Sequence, residues 1–164
     1  MSAAVDKQQV LDILRNLLEK DLEVIIASQL ESQAGATHSE NKAEGDKDMR
    51  ATESSYLARG LAKRVGELRS SVSALSTLRL REFGPESVAA LTALVTVEDE
   101  EGDPLLYFIA PGGGGIVVEV GQQKISVVTP SSPVGMALIG RYVDDEVELR
   151  TPQGAQMLTI CELM

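Results

Sequence analysis

Leucine and isoleucine recur at every third or fourth position in the first part of the chain, and this spacing constrains the fold most. Between residues 6 and 34 the apolar positions share one side of a helix, the charged residues fall mostly elsewhere, and neither Pro nor Gly interrupts the run. At 1.5 Å per residue, this predicts an amphipathic helix roughly 40 Å long. Its apolar stripe consists of Leu11, Leu14, Leu18, Leu22 and Ile25.

A second helix is predicted from about Glu40 to Leu78. Gly35 stands where a helix C-terminal cap would lie, and the run from Thr37 to Glu40 has the form of a capping box that opens the next helix. Near-heptad spacing favours zipping the second helix onto the first as an antiparallel helical hairpin, or coiled coil. The positions are Leu57, Leu61, Val65, Leu68, Val72 and Leu75.

The pattern changes after Leu78 to short strand-like runs separated by turn residues. The expected strands are Leu91–Glu98, Leu105–Ala110, Ile116–Val120, Lys124–Thr129, Glu146–Arg150 and Met157–Leu163. The segment Pro130–Arg141 predicts one short helix with Ser131 or Ser132 as its cap. Gly112–Gly115 lacks the Gly-Lys-Ser/Thr ending of a phosphate-binding loop, so we interpret it as a hairpin turn. The sequence therefore predicts an α+β chain, with a helical arm at 1–80 and a mostly antiparallel β domain at 81–164.

The charge is unevenly distributed. Residues 81–164 contain thirteen Asp and Glu against four Lys and Arg, whereas residues 1–80 contain twelve against eleven, and the whole chain carries −10. An acidic half repels phosphate backbones, which argues against duplex binding by that half and favours a basic or metal-rich partner surface. With no Trp, three Tyr and two Phe, the chain also lacks the aromatics of a single-strand-binding sheet.

Several classes of site are disfavoured. The single cysteine, Cys161, excludes an intramolecular disulfide and is expected to be a small buried apolar residue. His38 is the only histidine and lies on the arm, which leaves no Ser-His-Asp set. Charges interrupt the first thirty residues and no run of about twenty apolar residues occurs, so we expect a cytoplasmic protein without a membrane span.

The segment from Val127 to Leu163 resembles the bacterial Gre transcript-cleavage factors. Thr129, the Ser132-Pro133 step, the small residues of the following helix and the Leu-Ile-Gly turn at 138–140 occur in the order of that family's signature. The family's "valine, Gly/Asp, Asp, Glu, valine" strand is similar to residues 143–147. The order of an arm followed by a β domain is also similar, and the resemblance implies a C-terminal domain like that of FK506-binding proteins.

This resemblance implies a transcription elongation factor that binds RNA polymerase at its secondary channel and modulates backtracked complexes. The factor would not itself be an enzyme, would contact nascent RNA only indirectly and would be a monomer. The residues that it implies for docking on the polymerase are Ser132, Pro133, Val134 and Gly135.

The tip of the arm is acidic. The resemblance implies that carboxylates there share Mg²⁺ with the polymerase active site, and Mg²⁺ prefers hard oxygen ligands. The candidates are Glu40, Glu44, Asp46 and Asp48, with the first two on one helix face at a spacing of four residues. The tip departs from the family spacing and adds Lys42 and Lys47. A tip without a role in cleavage and a merely solvated charged surface are the alternatives.

Two other functions remain open from the sequence. One is a regulator with the same body plan that occupies the channel without supporting cleavage. The other is a coiled-coil interaction module that dimerises through its arm. Arg50, Arg59, Lys63, Arg64 and Arg69 make the second helix basic, either as a solvated face or as a contact with acidic channel walls or RNA.

Overall fold

The computed structural model describes residues 4–39 and 47–164, and describes 35–39 and 47–48 only as helix backbone. Two long helices come first: α1 (Lys7–Ser39) and α2 (Lys47–Ser76). Six strands and one short helix follow: β1 (Leu94–Glu98), β2 (Pro104–Ile109), β3 (Val117–Val120), β4 (Gln123–Val128), α3 (Pro133–Leu138), β5 (Glu146–Thr151) and β6 (Gly154–Leu163). The predicted α+β class, with all six strands and the short helix between the fourth and fifth, is confirmed.

The chain divides into two compact units. One consists of residues 16–73, the long middle portions of α1 and α2, and the other of residues 1–15 and 74–164. The second unit therefore contains the first turns of α1, the end of α2, the connecting segment and the entire sheet. In the described parts of the chain, neither long helix has a stretch apolar enough to cross a bilayer.

Apolar side chains explain how the helices are held. Leu11, Leu14 and Leu18 of α1 are almost completely buried, as are Val65 and Leu68 of α2, which confirms most of the predicted stripes. Where α1 begins and α2 ends, the guanidinium of Arg15 donates hydrogen bonds from Nε and Nη2 to the carbonyl oxygen of Leu75, at 2.9 and 2.6 Å. These two segments thus lie side by side at the base of a helical hairpin.

Three details of the helix prediction were wrong. Gly35 does not cap α1, and Thr37 does not open a new helix, because α1 continues to Ser39. Glycine in a helix costs about 1 kcal/mol relative to Ala, and its neighbours Ala34 and Ala36 are strong helix formers, so the helix tolerates it. Leu57 is 59% exposed, and the half-buried residue at this level is Ala58.

The six strands form one sheet in the order β3-β4-β2-β1-β6-β5. All neighbouring pairs are antiparallel except β2 and β4, which run parallel, with Tyr107 opposite Ser126 and Phe108 opposite Val127. The sheet is therefore mostly antiparallel, as predicted from the sequence, with one parallel pair that the prediction did not identify. The strand β6 lies between β1 and β5, so it joins the central strand to the edge.

The glycine-rich segment 112–115 is not a hairpin turn. It leaves β2 and enters β3, but β3 pairs with β4 rather than with β2, so the segment carries the chain past one strand position. Gly113 and Gly115 adopt φ of +79° and +91°, which side-chain-bearing residues rarely adopt. The glycines thus shape the crossing that makes the parallel pair possible.

The main core lies on one face of the sheet. It contains inward side chains of β1, β5 and β6, together with Leu138 of α3, and Phe83 and Val134 pack against it. The alternate residues of β1, β2 and β4 point to the opposite face and are also buried there, including Leu94, Phe108 and Ile125. Burial on both faces explains the mostly apolar sequences of β1 and β2.

Candidate functional site

The start of α3 is fixed by hydrogen bonds that Ser132 makes with its neighbours. Ser132 caps the helix in an extended conformation, and its Oγ accepts a hydrogen bond from the Gly135 N–H at 3.0 Å. The same hydroxyl donates to the carbonyl oxygen of Thr129 at 2.7 Å. Pro133 occupies the first turn, where its missing N–H has no helical partner to lose.

Glycine is required at position 135. A Cβ atom there would lie 1.9 Å from the carbonyl oxygen of Thr129 and 2.8 Å from its carbonyl carbon. At the other end, Gly140 has φ of +80° and donates its N–H to the carbonyl oxygen of Ala89 at 2.8 Å. The Ala89 N–H in turn donates to the Arg141 carbonyl oxygen at 2.8 Å. The motif residues therefore fix α3 tightly at both ends.

The four residues predicted to dock are brought together, but they differ in what they expose. Pro133 is exposed, Val134 is half-buried against the main core, and Gly135 is buried. Ser132 uses its hydroxyl to cap the helix. Of the four, Pro133 is the one with an exposed side chain. Ser132, Val134 and Gly135 hold the helix in place and contribute little to the exposed surface.

The outward surface of this segment is apolar. Met136 is 64% exposed, Ile139 38% and Tyr142 51%, and with Pro133 they define what we call the α3 surface. Met136, Ile139 and Tyr142 were not among the residues predicted from the sequence. Their spacing of three residues from Pro133 onward was the available signal, because it sets them apart from the buried Gly135 and Leu138. An exposed apolar set on a segment whose backbone is held by hydrogen bonds favours a protein contact.

The predicted metal ligands belong to the tip of the arm, the second candidate site from the sequence. Glu40, Glu44 and Asp46 lie outside the described residues, and Asp48 is described only as part of the α2 backbone. Whether the carboxylates of these residues converge therefore stays a prediction.

A different acidic group occurs in the turn between β1 and β2. Carboxylate oxygens of Asp99, Glu101 and Asp103 lie within 4.8 Å of one another. Asp99 Oδ1 accepts hydrogen bonds from the backbone N–H groups of Glu101 at 3.0 Å and Asp103 at 2.9 Å. This carboxylate therefore stabilises the turn between β1 and β2.

Cys161 is partly exposed rather than fully buried, which corrects its expected environment. Desolvation raises the pKa of its thiol, and the nearby carboxylates of Glu98 and Asp144 raise it further because they disfavour a second negative charge. The thiol also makes a weak 3.5 Å contact with the carbonyl oxygen of Thr159. A raised thiol pKa is unsuited to a nucleophile.

Comparison with known families gives a match over the segment that contains the sheet and α3. Residues 84–164 match the family model described as the C-terminal domain of the transcription elongation factors GreA and GreB. The chain is 33% identical over 107 residues to transcription elongation factor GreB of Pseudomonas aeruginosa, covering 65% of this chain and 60% of that protein. It is 38% identical over 71 residues to transcription elongation factor GreA of Sphingopyxis alaskensis, covering 43% and 41%. The matched stretches thus span less than two thirds of these relatives.

Solved structures of named transcription factors also match the chain, at low sequence identity. A structure of the transcription factor Gfh1 is 20% identical, with a TM-score of 0.42 over 92% of this chain and 93% of that one. A structure of GreA/GreB from Nitrosomonas europaea is 20% identical, with a TM-score of 0.38 over 59% and 78%.

Proposed function

We propose, from the premise that the C-terminal half of this chain belongs to the GreA/GreB family of transcription elongation factors, that the protein binds RNA polymerase and modulates backtracked complexes. The observation that carries this proposal is the family match over residues 84–164, which contain the sheet and α3. The two relatives named as elongation factors GreB and GreA support it. In this proposal the sheet domain docks at the secondary channel and the helical arm enters it.

The α3 surface is the proposed docking contact. It presents Pro133 and Met136 on α3 and Ile139 directly after it, and the segment is held by hydrogen bonds to Thr129 and Ala89. A surface of this kind loses little conformational freedom on binding, because its backbone is already ordered. The surrounding domain is acidic, which favours a partner with basic residues around an apolar centre.

The docking surface has a direct test. We expect Met136→Ser to weaken binding to core RNA polymerase by about tenfold, the effect of an anchor side chain worth somewhat more than 1 kcal/mol. Val117→Ser is the matched control, because Val117 is also about half exposed but lies on β3 at the opposite edge of the sheet. Equal affinities of the two variants, measured by competition, would remove the α3 surface from the proposal.

At the arm tip, Glu40, Glu44, Asp46 and Asp48 would hold Mg²⁺ together with the polymerase. The donor set fits this ion, since Mg²⁺ takes oxygen ligands and is commonly held by one or two carboxylates with several waters. When bound, the ion would stabilise charge on the attacking water and on the leaving oxygen. The protein would contribute oxygen ligands, and the catalytic site would belong to the polymerase, so we do not propose an enzyme.

Transcript cleavage tests the tip. A stalled, backtracked polymerase should release short 3′ RNA fragments faster with the protein than without it, at physiological magnesium. We expect the double variant Glu40→Ala/Glu44→Ala to lower this acceleration at least about tenfold. The control pair Glu23→Ala/Glu53→Ala removes two exposed carboxylates from α1 and α2 and should leave it unchanged. Unchanged cleavage in the double variant would remove the ligand assignment.

The second candidate is a regulator that occupies the channel without stimulating cleavage. Lys42 and Lys47 favour it, because they place positive charge among the tip carboxylates and weaken their hold on a cation. This function predicts competition with an active GreA or GreB and no acceleration of cleavage. Absence of both effects would overturn the proposal that the protein acts on RNA polymerase in this way.

A further inference from the structure

Lys7, the first residue of α1, makes three contacts away from its own helix. Its ammonium donates hydrogen bonds to the carbonyl oxygens of Arg81 and Thr92, the latter at 3.2 Å. It also lies 4.9 Å from the ring centroid of Phe83, a distance at which a cation is attracted to an aromatic face. All four residues belong to the same compact unit.

Thr92 is held in an unusual conformation at this point. It is 1% exposed and has φ of +74°, a strained value for a β-branched residue. Its N–H donates to the Ile109 carbonyl oxygen at 2.8 Å, and its Oγ1 accepts from the Arg81 N–H at 3.0 Å. The bond from Lys7 satisfies its carbonyl oxygen. Surrounding hydrogen bonds of this kind are what allow a strained backbone to persist.

The position of this ammonium is not explained by the stability of α1 alone. A positive charge in the first turn of a helix is disfavoured by the helix dipole. Desolvation lowers the pKa of Lys7, and the negative charge of Glu82 opposes that shift only in part. The charge is therefore held at a cost, and its favourable contacts all lie in the connecting segment and the loop before β1.

We propose that Lys7 is a positioning residue for the arm, because it fastens the first turn of α1 to the Arg81–Phe83 segment and to Thr92. The inference rests on the proposed function. The helix is continuous for 33 residues from Lys7, or about 50 Å, so a small loosening of its first turn is magnified along its length. Loss of the clamp reduces the effect of the arm inside the polymerase without weakening the docking of the sheet domain.

Amide hydrogen exchange of the full chain tests the clamp without polymerase. Lys7→Met removes the donors and the charge but keeps the aliphatic stem, so amide exchange at Leu11 and Thr92 should accelerate on the order of tenfold. Lys7→Arg should restore slow exchange, because it keeps the charge and several donors. Lys20→Met, on an exposed position of the same helix, is the matched control. Unchanged amide exchange in Lys7→Met, with Phe108 and Ile125 still protected, overturns the clamp.

Titration against backtracked polymerase then tests positioning. For Lys7→Met we expect the effect at saturating protein to fall at least about threefold, with a half-saturating concentration equal to that of the wild type, and Lys7→Arg to rescue it. If exchange accelerates but the saturating effect is unchanged, Lys7 is structural only and the positioning role is overturned. If the wild type itself has no effect on polymerase, the proposed function fails, while the exchange measurement still judges the clamp.

Discussion

At the scale of single residues, the lack of a side chain at Gly135 allows α3 to approach the backbone of Thr129 closely. Any Cβ atom at Gly135 would overlap the Thr129 carbonyl, which is backbone and cannot move aside as a flexible side chain would. We expect Gly135→Ala to lower the free energy of unfolding by at least about 1–3 kcal/mol, the usual cost of overpacking. Urea denaturation provides the measurement.

Gly66 provides the matched control for Gly135. It lies in α2 with no atom within 4 Å of an added Cβ, so Gly66→Ala should stabilise by about 0.5–1 kcal/mol through helix propensity. The two Gly→Ala variants should thus shift the denaturation midpoint in opposite directions. Equal shifts would contradict the close approach of α3 to Thr129.

The thiol of Cys161 should react slowly. Because burial and the carboxylate of Glu98 raise its pKa, the reactive thiolate is a smaller fraction at pH 8 than in a free thiol. We expect alkylation by iodoacetamide to be slower than that of a small free thiol, and Glu98→Gln to accelerate it. A rate that does not respond to Glu98→Gln would show that this carboxylate does not influence the thiol.

At the scale of elements, the α2 stripe separates residues that look equivalent in sequence. Leu68 is 3% exposed and Leu57 is 59% exposed, although both were predicted to face α1. Leu68→Ala should lower the free energy of unfolding by about 2–5 kcal/mol, and Leu57→Ala should change it by less than about 0.5 kcal/mol. Thermal or urea unfolding distinguishes the two, and similar losses would restore the predicted stripe.

The difference between these leucines also shows where sequence reasoning succeeded and failed. Counting back from Leu75 in alternating steps of three and four gives Val72, Leu68, Val65, Leu61 and Ala58. The prediction chose Leu57 in place of Ala58, because Leu57 is the larger apolar residue and lies one position away. The strands and α3 were predictable, because turn residues and a Ser-Pro start are local signals. The parallel pairing of β2 with β4 was not, because it depends on partners far apart in sequence.

The candidate site likewise has a part that was predictable from local sequence and a part that depended on tertiary packing. The motif at 132–135 was recognisable from its residue order, but which side chains it exposes depended on the packing of α3 against the core, and Met136 and Ile139 became visible only there. The tip carboxylates remain sequence predictions, since Glu40 and Glu44 lie outside the described residues.

At the scale of the whole molecule, the excess of negative charge should oppose compactness. The four ion pairs found among the described residues join mostly exposed groups at 3.2–3.9 Å, and such pairs contribute little. Repulsion among the thirteen acidic residues of the sheet domain should therefore dominate the response to salt. We expect the thermal midpoint to rise as sodium chloride is raised from low to physiological concentration.

A variant with fewer negative charges provides the control for the predicted effect of salt on the thermal midpoint. Glu100→Gln/Glu101→Gln removes two exposed charges from the turn between β1 and β2. Its midpoint should start higher in low salt and rise less than that of the wild type. A midpoint that falls with salt in the wild type would mean that the ion pairs outweigh the repulsion.

The place of β6 between β1 and β5 has a consequence for the order in which the domain folds. Val95 pairs with Leu163, so joining β1 to β6 closes a loop of nearly seventy residues, which is slow compared with forming a local hairpin. Until β6 arrives, β1 presents an unpaired apolar edge that another chain can join. During synthesis on the ribosome, the sheet therefore gains its protected arrangement only after its last strand has emerged, and this interval is when the protein is most exposed to aggregation.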